Sequence, residues 1–270
     1  MVDKLKKHTS TIGILIVFIA VVSIMVAREH LSNPVYGEMY VEKSFGDFDD
    51  TTLVIQYVSN IYDTRRIDKI TFYDQHNNKY EATPMYDYNP QYTGLYRQYL
   101  EYVNMQMVSG SFDEYALITE GEVVYTNGDK QVVNFGEIHL YGTLNQMNYL
   151  NNVGMSSYIE GNMTSLNTAN DEFELVSIES PLLTKFGDDY IFEINDESFD
   201  DADKRFHDGR TFDLSLTKQG EPLVERVEFL PKVTVRTSDG KERQFYIENL
   251  VSIHNFGTRQ ELRKYLKDRK

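Results

Sequence analysis

The chain contains no cysteine among its 270 residues. Disulfide bonds, catalysis by a thiolate and zinc sites built on cysteine are therefore excluded. A lipid-modified start of the lipoprotein type is excluded for the same reason, because that modification is made on a cysteine. Stability must come from a hydrophobic core, and the 240 residues after position 30 are enough to build one.

Tryptophan is also absent, and the aromatic residues are 20 tyrosines and 15 phenylalanines. The sequence has no Gly-x-Ser-x-Gly, no His-Glu-x-x-His, no phosphate-binding loop and no dinucleotide fingerprint. Its many carboxylates single out no pair of the kind that cleaves glycosides. The sequence therefore indicates no particular reaction, and we expect no cofactor.

Residues 12–27 read IGILIVFIAVVSIMVA and form one uncharged apolar block. Sixteen residues span about 24 Å as a helix, against a hydrocarbon core of about 30 Å, and flanking basic side chains can snorkel across the difference. The block predicts a transmembrane signal-anchor helix at 12–28. A cleaved signal peptide and a buried core helix are the alternatives. Cleavage is disfavoured because Met25 or Val22 would occupy positions that require small residues.

The charges beside the block predict its orientation. Three lysines within residues 4–7 precede it, whereas the charges within 28–30 nearly cancel. Positive charge stays on the cytoplasmic side, which predicts a cytoplasmic stub at 1–11 and an extracytoplasmic part from about Leu31 onward. After residue 30 the chain carries 40 acidic and 23 basic residues. This excess argues against a nucleic-acid partner, and the composition is typical of exported Gram-positive proteins.

Short alternating runs of apolar and polar residues, separated by turn residues, predict antiparallel sheets. Three hairpins are predicted around turns at 74–78, 127–128 and 238–240, where Asn, Asp and Gly favour positive φ angles. Helical spacing of aromatic residues predicts a helix over 90–107, and a capping box at 258–261 predicts another. The expected fold is mainly β: an antiparallel β-sandwich or barrel-like ectodomain with two peripheral helices, preceded by one N-terminal transmembrane helix.

The three hairpins resemble one another, which raises the hypothesis of an internal duplication. The two β-rich units would cover 35–142 and 171–270, separated by an Asn-rich linker or irregular segment at 143–170. Exposed hairpins of unrelated origin also look alike, so a single domain is the alternative.

Seven tyrosines crowd into residues 80–102, too many for all of them to be buried. An exposed tyrosine offers flat apolar area with a polar tip, which suits the binding of sugars or proteins. The candidate recognition residues are Tyr86, Tyr88, Tyr92 and Tyr96. The alternative is that these rings fill the seam between a helix and the sheet.

The stretch 196–209 is rich in carboxylates, the ligands that calcium prefers. The candidate ligands are Asp196, Asp200, Asp201 and Asp203. The stretch lacks the spacing of an EF-hand loop, and basic residues within it offset the charge. A solvated acidic loop is therefore the favoured interpretation.

Residues 259–270 hold six basic and two acidic residues. On so acidic a chain, this end is expected to dock on the protein's own acidic surface or on an anionic envelope polymer. The alternative is a polar helix end that the helix dipole favours.

Together these features favour a non-enzymatic binding or accessory module at the cell envelope. Its expected partners are the membrane, through the N-terminal helix, and an envelope protein or cell-wall polymer. An extracytoplasmic hydrolase acting on glycan or peptide and a sensor-like ectodomain are the alternatives. About ten cytoplasmic residues leave little chain for signalling inward.

Protease added to intact protoplasts is expected to digest the chain after about residue 31, because the predicted orientation puts that part outside the membrane. Immunoblotting for an epitope at the C-terminus measures the loss, with a cytoplasmic protein of the same cells as the control. An epitope that survives in intact protoplasts but is lost after detergent treatment would contradict the orientation.

Overall fold

The computed structural model describes residues 2–45, 50–85, 89–112, 114–142, 150–159, 162–187, 189–219, 226–247, 250–252 and 258–269. These ranges contain three helices and twenty strands. In chain order the elements are α1 (Val2–Glu29), β1 (Val35–Tyr36), β2 (Met39–Phe45), β3 (Asp50–Asn60), β4 (Ile67–Tyr73), β5 (Lys79–Pro84), β6 (Gln91–Thr93), β7 (Tyr96–Ser109), β8 (Tyr115–Tyr125), β9 (Lys130–Gly142), β10 (Leu150–Ile159), β11 (Asn162–Ala169), β12 (Phe173–Glu179), α2 (Pro181–Lys185), β13 (Tyr190–Ile194), β14 (Glu197–Ser198), β15 (Arg205–Phe206), β16 (Thr211–Lys218), β17 (Arg226–Phe229), β18 (Lys232–Thr237), β19 (Glu242–Tyr246), β20 (Leu250–Ser252) and α3 (Arg259–Asp268).

The largest sheet has the strand order β1-β3-β7-β5-β4-β8-β9-β2-β17-β20, and β6 adds to β7. The sheet curls on itself and brings its edge strand β1 against β9. Tyr36 of β1 packs edge-on against Phe135 of β9, with ring centroids 5.6 Å apart. The curl encloses a core rich in aromatic rings. Its largest fully buried members are Tyr57, Tyr80, Tyr125, Phe45, Phe72 and Phe135.

Two smaller sheets, β10-β11-β16-β13-β14 and β15-β12-β18-β19, share a second core. Phe212 and Leu214 of the first sheet pack there with Phe173 and Val235 of the second, as in a sandwich. A further cluster around Phe229 of β17 joins the large sheet to β13 and β16.

A buried carboxylate reinforces this junction. Glu42 of β2 accepts hydrogen bonds from the Ser180 hydroxyl at 2.7 Å, from the Leu182 amide at 3.2 Å and from the Leu230 amide at 2.8 Å. Both side-chain oxygens of the buried Glu42 thus have hydrogen-bond partners within the protein. The bonds attach the start of α2 and the end of β17 to the large sheet.

The mainly β prediction is confirmed, and so are the three hairpins: β4–β5, β8–β9 and β18–β19 pair antiparallel as expected. The predicted C-terminal helix is confirmed as α3, and its capping box is present: the Thr258 hydroxyl accepts from the Glu261 amide, and the Glu261 carboxylate accepts from the Thr258 amide. Two pairs, β2–β9 and β2–β17, are parallel rather than antiparallel.

The helix predicted over 90–107 is wrong, because this stretch forms β6 and the long central strand β7. The strand is buried on both faces: Tyr99, Val103 and Met105 pack in the core of the curled sheet, whereas Tyr96 and Gln98 are buried on the opposite face. Aromatic and β-branched residues favour this pleated environment. Pairing with β3 and β5 on both sides then satisfies the backbone of β7.

Strands also occur where a linker or irregular structure is expected. Within 143–170, β10 and β11 form a hairpin that continues through β16. The polar Asn, Ser and Thr residues of this segment conceal its alternation. No helix among the residues whose side chains the structure describes is long and apolar enough to cross a membrane.

Gly136→Ala is expected to lower the free energy of unfolding by about 3 kcal/mol. Gly136 has φ +90°, and a Cβ there would lie 2.5 Å from the Met39 carbonyl oxygen on the parallel neighbour β2. The left-handed conformation costs about 1–2 kcal/mol and the backbone contact about as much again. Denaturant unfolding followed by circular dichroism measures the change.

Gly128→Ala is the matched control for that variant. Gly128 has a similar φ of +86°, but nothing lies within 4 Å of a Cβ built there. The free energy of unfolding of Gly128→Ala should therefore fall only by the cost of the left-handed conformation, about 1–2 kcal/mol. Equal losses in the two variants would contradict the close approach of β2 to β9.

Candidate functional site

An open groove of about 550 Å³ lies over β4, β8 and β9, on the outer face of the large sheet. We call it the β4–β8 groove. Exposed side chains border it: Val132 is 70% exposed and Tyr73 is 52% exposed. Hydroxyl, amide and carboxylate groups complete the lining, from Thr71, Asp74, Gln75, Asn77, Thr119, Glu120 and Glu122.

One wall of the groove is the turn between β4 and β5, which Asp74 holds rigid. One carboxylate oxygen of Asp74 accepts from the backbone amides of His76 at 2.8 Å and Asn78 at 2.9 Å. The other oxygen accepts from the Asn78 side-chain amide and from the hydroxyl of the fully buried Tyr80, both at 2.9 Å. Burial raises the pKa of Asp74, but these hydrogen bonds outweigh it and lower the pKa.

Gln75 ties this turn to the neighbouring strand. Its side-chain oxygen accepts from the Leu117 amide at 2.6 Å, and its side-chain nitrogen donates to the Tyr115 carbonyl at 3.5 Å. The register of β8 against β9 shifts between Ile118 and Glu120, so a bulge bends the strands beside the groove. The groove is therefore a preformed concavity on a stiff scaffold.

The electrostatics of the groove are acidic. Asp74, Glu120 and Glu122 line it, and Lys130 forms an ion pair with Glu122 at 2.8 Å. A surface of this kind offers hydrogen-bond acceptors beside an exposed aromatic ring and an exposed valine. That chemistry suits a polar or cationic partner that also presents apolar area.

A second polar cluster surrounds His139 of β9, which is buried. Its Nδ1 lies 2.8 Å from the Tyr115 hydroxyl, and its Nε2 lies 3.2 Å from a carboxylate oxygen of Glu137. Lys185 of α2 holds the other oxygen of Glu137 at 2.6 Å. Burial raises the pKa of Glu137, but the bonds from Lys185 and His139 lower it overall. Both ring nitrogens of His139 are thus engaged, which suits a structural network.

The structure describes two of the four tyrosines predicted as recognition residues, and their exposures differ. Tyr86 and Tyr88 lie outside the described residues. Tyr92 on β6 is 63% exposed, and the Arg97 guanidinium lies 5.8 Å from its ring centroid. Tyr96 is only 2% exposed, and its hydroxyl donates to the Glu29 carbonyl at 2.8 Å. Tyr92 remains accessible for binding, whereas Tyr96 fastens α1 to the sheet.

The predicted calcium ligands flank β14: Asp196 precedes this strand, and Asp200, Asp201 and Asp203 follow it. Asp201 accepts from the Ser198 hydroxyl at 2.7 Å, and Asp203 accepts from the Arg205 amide at 3.1 Å and the Arg210 guanidinium at 3.3 Å. Within the described ranges, no three His, Asp or Glu side chains converge in a way that would hold a metal ion. Calcium binding by Asp196, Asp200, Asp201 and Asp203 stays a prediction.

The residues of the β4–β8 groove were not predicted from the sequence. Their only signal was the polar turn at 74–78, which marks a hairpin but not a concavity. The bulge between β8 and β9, whose extra residues lie in β9, bends the strands beside the groove, and the curl of the sheet depends on contacts between distant strands.

No protein-family model matches the chain, and no curated protein matches it. Among solved structures, similar chains include the D00-D0 domain of Intimin, with 9% identity over 82% of this chain and 99% of that chain and a TM-score of 0.24. Fibronectin(III)-like modules of Clostridium thermocellum CbhA match with 9% identity over 83% of this chain and 99% of theirs, with a TM-score of 0.21.

The Yersinia pseudotuberculosis adhesin InvE matches with 12% identity over 82% of this chain and 60% of its own, with a TM-score of 0.21. These three neighbours are adhesin and fibronectin-like β domains. At such TM-scores the likeness carries no argument about what this chain does.

Asp74→Asn is expected to lower the free energy of unfolding at pH 7 by about 1–3 kcal/mol, because an amide nitrogen would then face the donors that the carboxylate accepts. The folded-state pKa lies below the ordinary value of 3.8, so the stabilisation is present above about pH 4. It is lost as pH falls through the lower folded-state pKa. The deficit of the variant should therefore shrink in acid.

Asp68→Asn, at an exposed position of the adjoining strand β4, is the control and should change stability little. Denaturant titrations between pH 2.5 and 7 measure both variants. An Asp74 deficit that is constant over this range would contradict the role of the ionised carboxylate.

Proposed function

We propose that this chain is a non-enzymatic binding module, held at the outer face of a cell membrane by α1, whose β4–β8 groove receives a partner of the cell envelope. The observation that carries the binding role is the groove itself. Its volume of about 550 Å³ is within the range of ligand sites, and exposed Tyr73 and Val132 supply apolar contact beside fixed acceptors.

Preorganisation supports this role. The wall of the groove is held by four hydrogen bonds to Asp74 and two through Gln75. A partner that binds there loses little free energy to ordering the protein, because the turn is already fixed. An aromatic ring next to preset acceptors is an arrangement that protein interfaces favour.

The membrane attachment rests on the apolar block and on the surface of α1. Leu15, Ile16, Val17, Phe18 and Ile19 are each more than half exposed. Five consecutive helical positions cover the whole circumference of a helix, so this part of α1 is apolar on every side. A helix of that kind needs an apolar environment, and a bilayer supplies one.

A photoreactive residue at Val132 tests the binding role in intact cells that carry the chain. Under ultraviolet light it should form one dominant adduct with an envelope component. Adding Tyr73→Ala should reduce that adduct about ten-fold, because burial of an aromatic ring at an interface contributes more than 1 kcal/mol. Gel electrophoresis and mass spectrometry measure the yield and the identity of the adduct.

Ile191, which is 40% exposed on β13 of another sheet, is the control position for the same probe. Equal adducts at Val132 and Ile191 would contradict a site at the groove. Recovery of bulk wall polymer alone would assign the groove to a polymer rather than to a protein partner.

A further inference from the structure

We infer that α3 and the residues around the end of α1 form a docking surface for anionic lipid headgroups, which seats the β domain on the membrane. This inference rests on the proposed membrane anchor and adds a second, independent contact with the bilayer. We call the surface the basic collar and define it by Arg28, Tyr62, Arg259, Arg263, Lys264 and Lys267.

The position of α3 is fixed by the point where α1 meets the domain. Leu262 and Leu266 of α3 pack with Leu31, the second residue after α1, in one buried cluster. The Tyr265 hydroxyl donates to the Tyr36 carbonyl at 3.0 Å. The C-terminal helix is thus fastened to the segment through which α1 enters the β domain.

Glu29, the last residue of α1, completes this attachment. Arg259 donates to both oxygens of the Glu29 carboxylate at 3.1 Å, and Arg263 also pairs with it. Tyr96 binds the Glu29 carbonyl from the sheet side. Where α1 leaves a bilayer, α3 therefore lies within reach of the lipid headgroups.

The charge of α3 is opposite to that of the protein. Residues 259–269 hold five basic and two acidic residues, on a chain with a net charge of −15. Arg259 and Arg263 share one carboxylate, so the pairs leave excess positive charge at this end. Positive charge beside a membrane anchor is attracted to anionic lipid, and it also counters the repulsion between the acidic domain and that lipid.

The faces of α3 are divided in the way that such docking requires. Leu262, Tyr265 and Leu266 are buried against the domain, whereas Gln260, Lys264 and Lys267 share the exposed face. Basic side chains with long apolar stems are suited to the interface of a bilayer.

Exposed tyrosines lie within and beside the basic collar. Tyr62 is 54% exposed, and its hydroxyl lies 2.6 Å from Nδ1 of His30, directly after α1. Exposed Tyr92 connects to the same region through Arg97, which donates to the Asp63 carbonyl at 3.2 Å. Tyrosines at this level match the aromatic belts that membrane proteins place at the interface.

The absence of cysteine makes a site-specific test direct. Gln260→Cys, on the exposed face of α3, carries a fluorophore in the full chain reconstituted into vesicles of phosphatidylglycerol and phosphatidylcholine. A quencher attached to the lipid headgroups should quench this label strongly. Ser238→Cys, exposed in the turn between β18 and β19, is the matched label and should stay unquenched.

Charge reversal at Lys264→Glu together with Lys267→Glu should lower the quenching of the Gln260→Cys label at least about five-fold in anionic vesicles, since each basic residue near such a surface contributes about a five-fold effect. In vesicles of phosphatidylcholine alone, the Gln260→Cys label should be quenched equally weakly even when Lys264 and Lys267 are unchanged. Lys130→Glu with Lys241→Glu changes the net charge equally at other exposed positions and should have no effect. Circular dichroism verifies that all variants are folded.

Flotation of the same vesicles separates the two proposals. If the chain floats with the vesicles but the Gln260→Cys label is unquenched, or is quenched regardless of charge, the collar is refuted while the anchor stands. If the chain does not float, the membrane anchor is refuted, and the collar is refuted with it.

Discussion

Burying a tyrosine hydroxyl costs free energy unless the hydroxyl finds a hydrogen-bond partner, and several pairs of this kind connect the core of the protein to its surfaces. Tyr80, fully buried in the curled sheet, donates to Asp74 and so fixes the wall of the β4–β8 groove. Tyr96 donates to the last carbonyl of α1, and Tyr265 donates from α3 to the carbonyl of Tyr36. In each case the ring is anchored by apolar packing and the hydroxyl positions a surface element.

The interior of the curled sheet contains a longer chain of the same kind. The Tyr36 hydroxyl donates to Tyr125 at 3.0 Å, Tyr125 donates to Gln131 at 2.6 Å, and the Gln131 side chain donates to the Pro34 carbonyl at 3.2 Å. Burial raises the pKa of Tyr125 to about 12, so its hydroxyl stays a neutral donor at physiological pH. This series of hydrogen bonds fastens the segment between α1 and β1 to the strands β8 and β9. The position of a membrane helix relative to the domain would thus be defined from within the core.

The sequence predicted the elements whose causes are local. The turn at 127–128 could be predicted because glycine adopts the positive φ that the turn requires. The capping box could be predicted because the Thr258 hydroxyl accepts from a free amide at the start of the helix. The helix predicted over 90–107 is wrong because Tyr96 and Tyr99, which helical spacing assigns to one face, are buried on opposite faces of a strand that pairs with β3 and β5. The parallel position of β2 and the groove depend on contacts between distant residues, which no local pattern encodes.

The large number of tyrosines was interpreted as a recognition surface, and the structure divides them between two roles. Rings such as Tyr80 and Tyr96 are buried and position other groups, whereas Tyr73 and Tyr92 are exposed and available to a partner. The burial of each ring therefore separates the two roles.

Hydrogen exchange in Tyr80→Phe tests most directly whether a buried hydroxyl positions the groove. The account predicts that the amides of His76 and Asn78, which donate to Asp74, exchange about five- to ten-fold faster, since one hydrogen bond contributes about 1–1.5 kcal/mol. Amides in the distant β18–β19 hairpin should keep their rates, and Tyr73→Phe, at an exposed ring, should change neither region. Unchanged exchange at His76 and Asn78, or equal acceleration in both variants, would contradict the account.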